Sequence, residues 1–393
     1  MKIVVISPTY NERTNIAKMI PVLEEEVFPK IKNHEMQLLI ADDQSPDGTA
    51  DVVTGFMKKY KNLHLLEGNK EGLGAAYARA MRYAMDKMDA YAVIEFDADF
   101  QHDPHDIPRL VQAMDEGADC VIGSRYIKGG AIPKEWGVDR KFLSFVAGSL
   151  FTRVMWMNFS VHDMTSGFKL TKSSYLKKID LEHLYSKYYA YKLHILHEIL
   201  KTNAKVKEVP IIFYERTRGS SKITSKDMFD SLYVVVRLRI DDSKRVIKFL
   251  FVGGTGFVFQ YIITYLAIVA GVEQFIAAMI GGEVAILSNF FLNNIWTFKD
   301  TEKIKQKGNV IERLVKFNTA SLASIVIQGV AAFVAVKLVG EYVNIFGYTM
   351  HTSLFILFPT IIFLVIPLNY FIYNKIIWKT QYLNKKKVET ATT

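Results

Sequence analysis

Cysteine is nearly missing from this chain of 393 residues. Cys120 stands alone, so no intrachain disulfide and no cysteine-based metal site can form. It lies in the apolar run Asp119-Cys120-Val121-Ile122 and reads as a core residue. Phosphate-binding fingerprints are missing as well. Gly72-Leu73-Gly74 lacks the third glycine of G-x-G-x-x-G, and there is no Walker lysine motif. A long apolar leader is also absent. Met1-Lys2-Ile3-Val4-Val5-Ile6 runs straight into a turn, which argues for a strand and against a signal peptide. The first domain is therefore expected to stay in the cytosol.

Charge is what the second half lacks. Residues 249–270, 317–336 and 354–374 carry no charged side chain, and 275–298 carries only Glu283. A bilayer span needs about 20 apolar residues, so four transmembrane helices are expected at these positions. The net charge of +9 gathers at their borders: Lys244, Arg245 and Lys248, then Lys303, Lys305, Lys307, Arg313 and Lys316, then Lys375, Lys379 and Lys385–Lys387. Basic borders of this kind fit a cytoplasmic membrane surface and disfavour a nucleic-acid partner. Both termini, the 299–316 loop and the soluble domain are thus expected on the cytoplasmic side of a multi-pass cell-membrane protein.

The first 240 residues alternate strand, loop and helix. Expected strands are Lys2–Ser7, Met36–Ala41, His64–Leu66, Tyr91–Phe96 and Asp119–Gly123, with helices at Asn15–Val27, from about Ala50, and from Gly72. That pattern predicts a doubly wound parallel sheet with helices on both faces. Polar groups follow three strand ends: Tyr10 and Glu12, Asp42 and Asp43, Asp97 and Asp99. In such a sheet these ends share one edge, where ligands bind. Asp97-Ala98-Asp99 places two carboxylates one residue apart, a pattern able to grip a hard divalent cation and, through it, a diphosphate.

Six segments in order carry a resemblance: Pro8-Thr9-Tyr10-Asn11-Glu12, Asp42-Asp43-Gln44-Ser45-Pro46-Asp47-Gly48-Thr49, Asp97-Ala98-Asp99-Phe100-Gln101-His102, Gly123-Ser124-Arg125-Tyr126, Thr165-Ser166-Gly167-Phe168, and Val209-Pro210-Ile211 with Glu215–Lys222. Over about residues 2 to 230 the chain resembles the family 2 glycosyltransferases of GT-A fold, and within them the dolichol-phosphate mannose synthases. Gln44 stands where that family usually has Asn or Asp, and Phe100 where Leu is usual. Gly253-Gly254-Thr255-Gly256-Phe257 and Ser288–Phe298 resemble the packing patches of GtrA-like membrane domains.

The resemblance implies an α/β GT-A domain over 1–225, amphipathic linker helices over 226–246, an all-α GtrA-like domain of four helices over 247–378, and a basic tail at 379–393. It implies transfer of mannose from GDP-mannose to a dolichyl or polyprenyl phosphate at the bilayer. Donor contacts are expected from Pro8, Tyr10, Glu12, Ala41, Asp43, Asp97, Ala98, Asp99, Gln101, Arg216 and Lys222. Asp97, Asp99 and Gln101 would hold Mg²⁺ or Mn²⁺. Arg125, Arg140 and Ser144 would meet the acceptor phosphate, and catalysis would rest on Asp97, Asp99, Arg125 and Arg216. Apolar stretches Phe142–Phe159 and Asp227–Asp242 read as core helices or as interfacial ones. Two other readings stay open: a transferase using a UDP-sugar on the same lipid, and a lipid-linked-sugar flippase or scaffold. The absence of Q-x-x-R-W disfavours a processive polysaccharide synthase.

Overall fold

A computed structural model describes residues 1–215, 225–299, 310–345 and 347–378 of the chain. They form two units, Met1–Asp241 and Asp242–Thr393.

In the first unit the apolar runs are strands: β1 (Lys2–Thr9), β2 (Glu35–Asp42), β3 (Leu63–Glu67), β4 (Ala92–Glu95), β5 (Cys120–Ser124), β6 (Lys169–Lys172) and β7 (Val206–Pro210). They make one sheet in the order β3-β2-β1-β4-β6-β5-β7. The expectation of an all-parallel sheet is corrected here. β6 runs antiparallel to both neighbours, β4 and β5. Its sequence, Lys169-Leu170-Thr171-Lys172, is short and half lysine, so no apolar run announces it. The consequence is functional: the start of β6 lies at the edge where the other strands end.

Side chains alternate across the sheet and build a core on each face. Ile3, Val5, Leu38, Ile40 and Ile94 face α1 (Arg13–Pro21), α2 (Thr49–Met57) and α4 (Ile107–Asp115). Val4, Ile6, Leu39, Ala41, Val93 and Cys120 face α3 (Leu73–Asp86) and α8 (Tyr191–Leu200). The first helix ends earlier than its apolar spacing suggests. Pro21 has no N–H to continue the ladder, and the chain passes into a wider π-turn over Val22–Val27. Between β5 and β6, α5 (Val138–Phe142) and α6 (Phe151–Trp156) are joined by π-turns at Leu143–Leu150, and the short α7 (Ser173–Leu176) follows β6.

The sequence separates an amphipathic linker from a span starting at Phe249. The backbone does not: α9 is one helix, Ser225–Val269. No proline interrupts 226–248, so nothing stops the helix there.

The second unit continues with α10 (Gln274–Leu292), α11 (Val310–Val339), α12 (Thr352–Thr360) and α13 (Ile366–Ile372). Two described helices, Lys226–Val269 and Val310–Val339, are long and apolar enough to cross a membrane, and Ile361–Ile377 is a shorter apolar stretch. Between α11 and α12 the chain forms a hairpin, β8 (Tyr342–Ile345) with β9 (Tyr348–His351). Gly256 packs directly under the Asn289 carboxamide, and a Cβ on Gly281 would come 2.7 Å from the Gln260 carbonyl. Small residues let these helices approach closely. Gly253 and Gly254 do not act so; they have open space and help line a cavity of about 270 Å³. Glu283 accepts a hydrogen bond from Asn318 at 3.5 Å, an interhelical contact.

Candidate active site

The loops after β1, β2 and β4 meet at the carboxyl edge of the sheet. Register pairs Thr9 with Asp42 and Ile6 with Glu95. Asp42 accepts from Thr9 Oγ1 at 2.8 Å, Ser45 Oγ at 2.6 Å and Ser45 N at 2.8 Å, so it braces the two loops. Asp47 does the same for Arg13 N and Thr49. Each loop contains one left-handed residue other than glycine: Asn11 (φ 58°), Gln44 (φ 51°) and Phe100 (φ 59°). Such conformations cost non-glycine residues free energy and cluster where geometry is imposed for function.

At the end of β4, Asp97 Oδ1 accepts from Tyr77 Oη at 2.8 Å, and Asp99 Oδ1 accepts from Gln101 N at 3.1 Å. Gln101 Nε2 donates to Tyr214 O at 3.4 Å, and Tyr214 N donates to Gln101 O at 2.9 Å. Burial, with the Asp97 charge beside it, holds the Tyr77 phenol well above its usual pKa, so it remains a donor. Tyr77 stacks on Tyr191 at 5.2 Å, and Tyr191 Oη donates to Glu95 at 2.7 Å. Glu95 in turn faces Lys169 Nζ at 3.4 Å, deep under the sheet edge.

This donor set suits a hard cation: two carboxylates and a carboxamide within five residues. Among the described residues no three His, Cys, Asp or Glu side chains converge on one metal position. The set therefore fits a cation completed by substrate phosphate oxygens, as Mg²⁺ sites usually are. Gly167 helps make room, since a Cβ there would lie 3.6 Å from Asp97 Oδ2.

Donor-side expectations divide. Pro8, Ala41 and Ala98 are buried, at the ends of β1 and β2 and just after β4. Tyr10 is partly exposed, with Lys70 Nζ 3.4 Å above its ring. Glu12 accepts from Asn15 Nδ2 at 2.7 Å. Asp43 pairs with Arg79 at 2.7 Å, yet burial pushes its carboxyl above the ordinary value. Arg79 reaches it only because Gly68 has no side chain in the way.

Arg125 lies deeper than Arg140. It is expected as a phosphate ligand, but its guanidinium is buried and committed to Asp163. Nε reaches Oδ2 and Nη2 reaches Oδ1, both at 2.7 Å, and Nη2 also reaches Thr165 Oγ1 at 2.8 Å. Burial works against both charges. Each nevertheless holds the other ionised, Arg125 raised and Asp163 lowered from their ordinary values. Arg125 stacks within 5.4 Å of the Phe213 ring, and Trp136 meets the same ring at 5.8 Å. Arg140 lies 4.1 Å over Trp136, and Ser144 shares a 2.6 Å hydrogen bond with Tyr126. Arg140 and Ser144 are four residues apart on one helical segment and so share a face. Arg216 and Lys222 lie outside the described residues.

His102, part of the Asp97–His102 motif, is a packing residue. It sits between Phe168 and Phe213 at 5.1 and 4.9 Å, and burial pushes its pKa down to about 3, leaving it neutral. Reading the sequence misses Tyr77, Arg79, Asp163 and Phe213. For Asp163 a signal exists: an acid two residues before Thr165-Ser166-Gly167. For the others only the tertiary contact identifies them.

The chain also matches known proteins. The model of glycosyl transferase family 2 covers residues 4–180, and that of the GtrA/DPMS transmembrane domain covers 248–378. A dolichol-phosphate mannosyltransferase of Pyrococcus furiosus is 33% identical over 360 residues, covering 89% of this chain and 96% of the relative. An undecaprenyl-phosphate mannosyltransferase of Micrococcus luteus is 34% identical, covering 60% and 93%. A polyprenol monophosphomannose synthase of Mycolicibacterium smegmatis is 33% identical, covering 62% and 91%. Taken with the strand-end carboxylates and the apolar helices, this shows that the chain belongs to the dolichol- and polyprenyl-phosphate mannosyltransferases, family 2 glycosyl transferases that here carry a GtrA/DPMS transmembrane domain.

Proposed function

We propose that this mannosyltransferase takes mannose from GDP-mannose and places it on a polyprenyl monophosphate at the cytoplasmic face of the membrane. The observation that carries the lipid half is the segment from Val138 to Trp156. It presents Arg140 and Ser144 beside Tyr126 and Trp136, while Phe142, Phe145 and Val154 stay exposed. A phosphate site edged by exposed aromatic and aliphatic side chains suits an anion carried on a lipid tail.

Asp97, Asp99 and Gln101 would hold Mg²⁺ or Mn²⁺, which when bound offsets negative charge on the departing diphosphate. Tyr77 fixes the orientation of Asp97 through its hydrogen bond. Asp43 and Tyr10 lie toward the nucleoside side of the edge, where a carboxylate can accept from base N–H or ribose O–H groups. Arg140 and Ser144 would receive the acceptor phosphate. Arg125, neutralised by Asp163, shapes that wall through Phe213 and Tyr126. The acceptor's second pKa is about 6, so it arrives anionic and needs little proton abstraction. Positioning and charge stabilisation remain as the protein's tasks. Attack opposite the leaving group inverts the anomeric centre.

The test uses the full chain in membranes with labelled GDP-mannose, Mg²⁺ or Mn²⁺ and a polyprenyl phosphate. An acid-labile mannolipid is expected, lost on chelation and in Asp99→Ala, whose thermal unfolding should match wild type. Turnover retained by Asp99→Ala rejects the metal role, and a product from UDP-sugars but not GDP-mannose rejects the donor.

A further inference from the structure

Because β6 enters antiparallel, the segment Thr165–Phe168 arrives beside the loop that follows β4. Register sets Lys169 opposite Glu95, so Gly167, two residues earlier, comes level with Asp97, two residues later. Behind them α8 begins, and its second residue is Lys192.

Lys192 is only 3% exposed. Its Nζ lies 3.4 Å from the centre of the Tyr189 ring. Among the described residues it donates no hydrogen bond, and no carboxylate lies within the 4.0 Å of an ion pair. Its neighbour Lys169 makes the contrast. That ammonium is also buried, but it faces Glu95 and the Lys192 carbonyl, each at 3.4 Å. One lysine is thus neutralised within the fold and the other is left with only an aromatic face. The buried polar atoms left without a partner do not include Lys192 Nζ, so the stem is enclosed while the ammonium itself keeps contact with solvent, where an anionic ligand can reach it.

The space in front of Lys192 says what that ligand is. A methyl group on Gly167 would lie 2.9 Å from Lys192 Nζ and 3.6 Å from Asp97 Oδ2. The ammonium and the carboxylate are therefore at most about 6.5 Å apart, with the missing side chain of Gly167 between them. A phosphate oxygen fits such a gap. It would sit about 2.8 Å from the ammonium, and a cation held by Asp97 would supply further positive charge to the same phosphate.

We propose that Lys192 is a catalytic residue whose ammonium donates to a phosphate oxygen in the gap between Gly167 and Asp97. The inference rests on the sugar-nucleotide transfer proposed above. The oxygen comes either from the donor's diphosphate or from the acceptor's monophosphate. In both cases Lys192 supplies positive charge that no carboxylate offsets by an ion pair, unlike that of Arg125.

The experiment compares wild type, Lys192→Gln and Gly167→Ala, each as the full chain in nanodiscs. Calorimetry gives the affinity for GDP with Mn²⁺, kinetics gives kcat and KM for each substrate, and thermal unfolding monitors the fold. Lys192→Gln should lower kcat/KM roughly 10- to 100-fold, the usual effect of losing a hydrogen bond to a charged group. Unfolding should stay near the wild-type temperature, because no hydrogen bond or ion pair of the ammonium within the fold is lost. GDP affinity falling by a similar factor assigns the oxygen to the donor, and a raised KM for the polyprenyl phosphate with GDP affinity unchanged assigns it to the acceptor. Gly167→Ala keeps the lysine but fills the gap, and its backbone is not left-handed, so it should fold and lose turnover to a similar degree. If Lys192→Gln fails to fold, this second variant alone decides the matter. A wild type unable to use GDP-mannose would reject the underlying reading. Variants matching an active wild type in kcat/KM and nucleotide affinity would overturn this inference only.

Discussion

Asp163→Asn isolates what Arg125 does. The substitution keeps the shape of the side chain and removes its charge. In the structure both partners are buried, with side-chain exposures of 6% for Arg125 and 0% for Asp163. Their two 2.7 Å contacts form a fork in which each guanidinium nitrogen faces its own carboxylate oxygen, and Arg125 N adds a third bond at 3.0 Å. An asparagine turns one of those oxygens into a donor pointing at a donor. It also strands a guanidinium in a site where burial already opposes its charge. Removing one partner of a buried pair costs about 3–5 kcal/mol. For a domain of this size each kcal/mol moves the midpoint by roughly 2–4 °C, so a fall on the order of 6–20 °C is expected. Thermal unfolding of the full chain in detergent, followed by tryptophan fluorescence, reads it directly. A midpoint within about 2 °C of wild type refutes the pairing. The double change Arg125→Leu with Asp163→Leu then separates structure from chemistry, since replacing both partners by apolar residues is often neutral. Recovered stability with recovered transfer means that Arg125 only shapes the wall. Recovered stability without transfer means that the substrate needs the guanidinium itself.

Further outcomes follow from the same geometry. Gln44→Asn should raise stability by about 0.5–1 kcal/mol, because Asn tolerates the left-handed φ of 51° better than Gln does; chemical denaturation measures it, and a loss of stability would contradict the strain argument. Cys120 is buried, and burial pushes its thiol up to about 11, so N-ethylmaleimide at pH 8 should label it only after unfolding; mass spectrometry of native protein showing the adduct would count against this. Asp163 has its folded pKa lowered below its ordinary 3.8. Its contribution is therefore complete above that value and lost as pH falls through the folded one. The gap in midpoint between wild type and Asp163→Asn should accordingly narrow below about pH 4, and a gap that widens there would show the sign to be wrong.

Much of this molecule is written locally. Short apolar runs followed by Asp42-Asp43 and Asp97-Ala98-Asp99 mark strand ends and the ligand edge, because a parallel sheet gathers its carboxyl ends together. Charge-free stretches reveal the membrane half, since a bilayer excludes unpaired charge over some 20 residues. Single-residue signals also survive: Gln44 and Phe100, the two departures from the family pattern, are both left-handed turn residues.

Other features depend on what the fold brings together. Nothing in Lys169-Leu170-Thr171-Lys172 announces a strand inserted between β4 and β5, because its place comes from pairing on both sides and from one buried ion pair. The hairpin at Tyr342–His351 and the unbroken α9 likewise depend on pairing and on the absence of a breaker. The basic residues show the divide most clearly. Sequence alone gives Arg79, Arg125, Lys169 and Lys192 the same formal charge. Packing gives the first three carboxylate partners at Asp43, Asp163 and Glu95 and leaves Lys192 with the Tyr189 ring. Composition and order set which charges the chain carries, but a charge becomes available to a ligand only when the folded neighbours leave it unneutralised, and that depends on distances of a few ångströms between residues far apart in the chain.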